Sequence, residues 1–270
     1  MNRRRTEGIL TENTDTKNKP KVDSTLSKGL AIIEFLASRP KSIGVSELAR
    51  QLGLTKSNTF RLLQTLTTLG YVQHSADKKY SATLKTWQIG REMVDQMNLR
   101  ELCAIEMQNL ANETGETIYL AVPEGLSVIY IDKIESQKSI RSWSPIGGSA
   151  PIQCVGTGKA ILAAKYPLLR EALKEHLTAH TDKSLTTIDD LDVDMMQTQK
   201  RGYACDRGEF RDSILSFGAA VLLPDGEPIA ALGISVPEFN LPKAGDKLFG
   251  LMVSAAAKSV TEKIARSGLS

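Results

Sequence analysis

Residues 44–72, GVSELARQLGLTKSNTFRLLQTLTTLGYV, constrain this chain more than any other stretch. The pattern reads as two short helices joined by a tight turn, followed by a strand. Ser46 stands where a side chain can cap the first of these helices, which turns Leu48, Ala49 and Leu52 inward. Gly53 ends it, because a tight turn there demands a positive φ. Thr55 or Lys56 opens the next helix, whose inward face is expected to be Phe60, Leu62, Leu63, Leu66 and Leu69, with Gly70 as its stop. Its first turn is crowded with Thr55, Lys56, Ser57, Asn58, Thr59 and Arg61. A helix that only fills a core has no use for that cluster, whereas one entering the major groove presents its N-terminal residues to bases and phosphates. Asn pairs with adenine and Arg with guanine, while Ser, Thr and a helix N-terminus grip phosphate.

The flanks extend the pattern. An upstream helix has Ser27 as a capping residue and Leu30, Ile33, Phe35 and Leu36 as apolar positions, and it ends near Arg39-Pro40. Downstream, residues 71–74 and 79–82 alternate as strands around Ser75-Ala76-Asp77-Lys78. Three helices and a short basic hairpin make a winged helix-turn-helix. The hairpin adds Lys78, Lys79 and Tyr80, with His74, to the DNA-facing set, which also includes the helix-start serines Ser27 and Ser46. A helix over about 84–97, carrying Trp87, Ile89, Met93, Val94 and Met97, then links to the rest.

Charge separates the two parts. Residues 1–90 hold 15 Lys/Arg against 7 Asp/Glu, net +8, and residues 91–270 hold 19 against 24, net −5. A basic first third suits a nucleic-acid module; uneven surface charge is the plain alternative. Four segments follow: a disordered tail at 1–24, a DNA-binding domain at 25–83, a linker helix at 84–99 and a second domain at 100–270. Arg3, Arg4 and Arg5 in the tail are either a solvated run or an arm on DNA. No apolar run approaches the ~20 residues that span a bilayer, and the N-terminus lacks the apolar core of a secretory signal. No membrane partner and a cytoplasmic location are expected. The three cysteines, Cys103, Cys154 and Cys205, form no CxxC pair, which argues against a disulfide framework or zinc ribbon.

In the second domain, strands are expected at 117–122, 128–135 and 140–144, helices at 156–164, 167–177 and 188–200, a hairpin at 217–236 and a last helix at 244–264. Strands and helices do not alternate strictly, so the class is α+β with an antiparallel sheet. The stretch CVGTGKAIL, 154–162, is neither a Walker loop nor a dinucleotide fingerprint. It is a glycine-rich entry to a helix, whose N–H groups suit a carboxylate; a structural turn is the alternative. His176 and His180 share a helix face in this reading but lack the glutamate of a zinc-protease motif, and Asp189, Asp190, Asp192 and Asp194 read as a solvated helix start. No metal, cofactor or catalytic residue is assigned. Cys154 and Ser216 are the nucleophiles an enzyme reading would need, and no histidine is placed to activate either.

Together these residues resemble the IclR family of bacterial transcriptional regulators. The likeness runs from about Ser24 to Ile264. It rests on SKGLAIIEFLA, the helix-turn-helix stretch and KYSATLKTWQIG, then on GETIYLAV, VIYIDKIES, GGSAPIQCVGTGKAILA, GYACDRGEF and VLLPDGEPIAALGISVP. The resemblance implies a winged helix-turn-helix, a linker helix and a C-terminal effector domain with a GAF-like antiparallel sheet. It implies homodimers or tetramers on palindromic double-stranded operators, and a small effector: an organic acid, an aromatic or a sugar-derived catabolite. It implies an effector site at Gly156 and Thr157, with Asp206, Ser216 and Ser235, and with Ile134 and Trp143 as walls. The sequence departs from the family at Gln153, where His or Tyr is frequent, at Ser216, a frequent Cys, at Gly233, a hydroxyl in some members, and at Arg207 beside Asp206. Arg141 or Arg207 pairs with a second acidic group of the effector if it points inward. The function read from the sequence is thus a ligand-controlled, DNA-binding regulator, nucleoid-associated when bound; the alternative is a small-molecule hydrolase or transferase fused to a DNA-binding domain.

Overall fold

The computed structural model describes residues 23–267. It divides into two compact units, the first ending at Gly90 and the second beginning at Arg91.

The first unit opens with α1 (Ser24–Ala37), whose cap is Asp23: the carboxylate accepts the Leu26 N–H at 2.7 Å. Ser27 is therefore not the cap; it lies one turn in, and its hydroxyl donates to the Asp23 carbonyl. A two-residue strand, β1 (Ile43–Gly44), leads into α2 (Val45–Gln51). Gly44 occupies the cap position of α2 with no side-chain bond, so Ser46 is also an ordinary first-turn residue rather than a cap. Gly53 has φ +64° as the turn requires. Thr55 caps α3 (Lys56–Thr68), its hydroxyl oxygen accepting the Asn58 N–H. The strands β2 (Val72–His74) and β3 (Lys79–Ala82) form the hairpin, and β1 adds to its free edge in the order β1-β3-β2. Ile32, Leu36, Leu48, Leu63, Val72 and Tyr80 meet in one core. The inward stripe of α3 is Thr59, Leu62, Leu63 and Leu66. Phe60 and Leu69 were expected inside but are about half exposed. At 100° per residue the stripe beginning at Thr59 turns Phe60 away, and Leu69 lies beyond the last full turn. The helix α4 (Lys85–Gln96) buries no residue, and Trp87, Ile89 and Met93 stand exposed along it.

The second unit is α+β. Its sheet has the order β6-β5-β4-β9-β8-β7, every pairing antiparallel, from β4 (Thr117–Glu124), β5 (Ser127–Ile134), β6 (Ser149–Pro151), β7 (Ala204–Arg207), β8 (Ile214–Leu222) and β9 (Pro228–Pro237). Both faces are covered. Ile118, Leu120, Phe217, Leu232 and Ile234 pack under α5 (Leu99–Thr114) and α8 (Gly245–Ser267). Tyr119, Ala121, Tyr130 and Ala231, of the opposite parity, pack under α6 (Gly156–Leu173) and α7 (Ile188–Arg201). That two-sided burial explains why the strands read as nearly continuous apolar runs.

Several expectations are corrected. Residues 140–144 are irregular chain between β5 and β6, not a strand. One helix, α6, runs through Pro167 where two were expected. It ends at Leu173, so His176 and His180 share no helix face. Asp192 and Asp194 are not merely solvated: Asp192 pairs with Arg170 at 2.6 Å, and Asp194 with the buried Lys159 at 3.0 Å. No described helix is long and apolar enough to cross a membrane.

Candidate functional site

Two surfaces carry chemistry, one in each unit. On the first, α3 leaves Lys56, Ser57 and Arg61 exposed and Asn58 half-buried, with the Thr55 cap beside them. Thr59 is not among them: it is fully buried, and its hydroxyl donates to the Thr55 carbonyl. In the hairpin turn Lys78 is exposed at φ +59°, and exposed Lys79 pairs with Asp77 at 2.7 Å. Tyr80 is corrected too. It faces the core at 5 % exposure, and its ring stacks on His74 at 4.4 Å. The outward set that remains is basic and polar, clustered at one helix start and one turn.

In the second unit a small cavity that opens to solvent lies on the α6 face of the sheet. The start of α6 forms its floor. Gly156 through Ala163 are all buried, and Val155 in the cap position supplies no side-chain bond. The Gly156 N–H donates instead to the Ser216 hydroxyl at 2.9 Å, which donates on to Asp206 at 2.8 Å. The other Asp206 oxygen accepts the N–H groups of Gly208 and Glu209. Burial raises Asp206 above the usual carboxylate range, against the pull of these donors. Gly218 is required where α6 meets the sheet: a Cβ there would lie 2.2 Å from the Gly156 carbonyl oxygen. Behind the floor, Lys159 is 1 % exposed and joins Glu209 at 2.5 Å and Asp194 at 3.0 Å. Burial works to lower Lys159, but the two carboxylates outweigh it and leave it raised. Burial pushes Glu209 up to about 7 despite the lysine.

Four of the expected effector residues, Thr157, Asp206, Ser216 and Ser235, come together in the cavity wall, and Gly156 is tied to them through Ser216. Two do not. Ile134 pairs with Ile118 and packs on the opposite face, under α5 and α8. Trp143 turns its ring outward at 54 % exposure, with Lys133 Nζ 5.2 Å from the ring centroid; only its carbonyl turns back, toward Arg211. Arg141 and Arg207 do not turn inward either, and pair with Glu135 and Asp246. The sequence reading missed Tyr119, Tyr130, Ser142, Ser144, Phe210 and Arg211. The strand alternation that buries Ala121 and Val128 could have found the tyrosines; nothing periodic marks the others.

The Ser142–Ser144 segment is bonded to the wall. The Ser144 N–H donates to the Tyr119 hydroxyl at 2.7 Å and the Ser235 hydroxyl to Ser142 at 2.8 Å. Burial pushes the Cys154 thiol up to about 12, so it is no nucleophile at neutral pH.

One unit thus carries a hydroxyl-lined cavity and the other a basic helix-turn-helix, and each matches a family model. Residues 25–76 match the IclR helix-turn-helix domain, and residues 91–262 match the bacterial transcriptional regulator IclR C-terminal domain. The protein belongs to the IclR family. The transcriptional repressor IclR of Escherichia coli is 32% identical over 242 residues, covering 88% of each chain. The regulator KdgR of the same organism is 30% identical, covering 93% of this chain and 97% of its own. The crystal structure of the Thermotoga maritima IclR superposes with a TM-score of 0.74 at 27% identity, covering 89% of this chain and 98% of that one. An IclR homologue from Microbacterium hydrocarbonoxydans, complexed with 4-hydroxybenzoate, has the same fold: TM-score 0.77, 19% identity, 91% and 100% covered. This IclR-type chain is therefore a DNA-binding transcriptional regulator with a C-terminal ligand-binding domain, and its family is not one of enzymes.

Proposed function

We propose that this regulator binds a small acidic catabolite in the cavity of its second unit and that occupancy controls binding to a palindromic operator. Thr157, Asp206, Ser216 and Ser235 form the effector wall, with Gly156 fixing Ser216. The observation that carries the reading is the start of α6, which enters the cavity wall at Thr157 with no side-chain cap. The first N–H groups of a helix lack helical partners, and its dipole favours an anion. Here Ser216 takes the Gly156 N–H and the Val155 carbonyl takes that of Lys159, and the N–H groups of Thr157 and Gly158 between them are the ones offered to a ligand carboxylate. The organic acid in the Microbacterium homologue supports the same chemistry.

Lys56, Ser57, Asn58 and Arg61, with Lys78 and Lys79 from the hairpin, make the DNA contacts. The working form is a homodimer, alone or paired as a tetramer, in the cytoplasm. Leu26 and Leu30 on α1 and Trp87 and Met93 on α4, all exposed, support such association. Two recognition helices then meet successive major-groove faces. The test is a selection of sheared genomic DNA from the source bacterium at physiological salt, followed by titration of the recovered site. A palindrome bound about tenfold more weakly by Arg61→Ala, with unchanged thermal stability, is expected. Equal affinity of that variant at matched salt rejects the recognition-helix assignment.

A further inference from the structure

The next step rests on the acid-effector reading. The charges in the cavity wall are unequally committed. Both oxygens of Asp206 are taken by donors of its own neighbourhood. Arg211 is the one cation in the wall among the described residues. Every other arginine described in the second unit has a carboxylate within 4.0 Å, and Arg211 has none. Its guanidinium lies over the Phe210 ring, 5.5 Å from the centroid, and donates from Nη1 to the Trp143 carbonyl at 2.5 Å. A guanidinium carries about five N–H donors in a planar fork, so most of that capacity stays open.

The loop that presents Arg211 is fixed at each preceding residue. Asp206 holds the N–H groups of Gly208 and Glu209. The Thr181 hydroxyl donates to the Gly208 carbonyl at 2.7 Å, and the Ser184 hydroxyl to the Glu209 carbonyl at 2.6 Å. The Glu209 side chain is clamped on Lys159, and Phe210 meets His180 edge-on at 5.3 Å. The backbone that presents the guanidinium is thus held in place, which lowers the entropy lost when the side chain binds a ligand. Burial raises the phenols of Tyr119 and Tyr130, and the positive charge of Arg211 opposes that rise at both, so its field reaches into the cavity.

We propose that Arg211 is the specificity-determining residue of the effector site, and that it selects a dicarboxylic acid whose first carboxylate lies on the start of α6 and whose second meets the guanidinium. An acid with an apolar tail covers the guanidinium without pairing it, and loses affinity for that reason. A second carboxylate meets the open fork with two parallel N–H···O bonds. Arg211 is exposed to water on one side, so the gain is moderate rather than absolute.

The test is calorimetric titration of the full-length protein with paired acids of one skeleton: butyrate and succinate, valerate and glutarate, 2-oxovalerate and 2-oxoglutarate, benzoate and isophthalate. In the wild type the best diacid is expected to bind about tenfold more tightly than its monoacid partner. Arg211→Ala closes that gap while leaving the monoacid affinity in place, Arg211→Lys restores part of it, and Arg207→Ala, at a residue already paired with Asp246, leaves it untouched. If acids bind but the gap is absent, or survives in Arg211→Ala, the role of Arg211 is overturned while the carboxylate site stands. If no acid of either kind binds the wild type, the acid-effector reading fails and this inference fails with it.

Discussion

The starts of α3 and α6 present the same backbone chemistry in opposite surroundings. Each leaves N–H groups without helical partners. At α3, Thr55 caps one of them, and the first turn points Lys56, Ser57 and Arg61 at solvent. At α6 there is no capping side chain, the first turn is wholly buried, and its lysine, Lys159, is locked between Glu209 and Asp194. A helix start that reads DNA needs long side chains in water, where Lys and Arg stay charged and can release counterions from phosphate. One that holds a small acid needs small residues, so that backbone can reach the ligand and strands can pack close. Gly156, Gly158 and Gly218 meet that need, and each would place a Cβ under 3.0 Å from neighbouring backbone. The difference lies in which residues surround the helix start, not in the helix itself.

The largest expected effect breaks the buried half of this comparison. Lys159→Met removes the cation between buried Glu209, which then stays protonated, and half-buried Asp194, and should cost about 3 kcal/mol in urea unfolding. Lys56→Met, at the exposed start, should leave stability unchanged and reduce the salt dependence of operator binding. Equal stability losses at the two lysines would erase the distinction. Next comes Gly218→Ala, whose methyl group collides with the Gly156 carbonyl; about 3 kcal/mol of destabilisation is expected, read by the same unfolding curve. A neutral result there would mean that α6 can shift, and that its position does not depend on close packing. The smallest effect sharpens the exposed half: Thr55→Ala removes the only side-chain cap of α3 and should lower the stability of the first unit by about 1 kcal/mol. A loss well above that would show Thr55 doing more than capping.

The two helix starts were not equally legible in the sequence. The α3 start was plain, because a cap residue, a 3.6-residue stripe and a glycine stop all act locally. Even there the stripe was right at Leu62, Leu63 and Leu66 but misjudged at its start, so that Thr59 was given to DNA and Phe60 to the core. The α6 floor was visible as a glycine-rich entry, and the family likeness supplied Asp206, Ser216 and Ser235. Ile134 shows where such reading stops. Strict alternation from Val128 and Tyr130 would put Ile134 in the cavity wall. The register slips between Leu120 and Ala121, so Ile131 has no partner, the parity flips, and Ile134 lands on the far face. Arg211 and Trp143 lie on irregular chain with no period to follow, and only tertiary bonds set where they point. The helix α5 was missed although Leu99, Cys103, Met107 and Leu110 repeat at helical spacing, since no strong cap announces it.

The central claim is that occupancy at the start of α6 controls what the start of α3 can bind. The direct measurement is fluorescence anisotropy of a labelled, selected operator with the full-length protein. It is titrated at constant salt with and without saturating short mono- and dicarboxylic acids, for wild type and Ser216→Leu. The expected result is that at least one acid changes operator affinity about tenfold in the wild type, and that Ser216→Leu binds the operator but no longer responds. Operator affinity that stays the same with every acid that calorimetry shows to bind would contradict it.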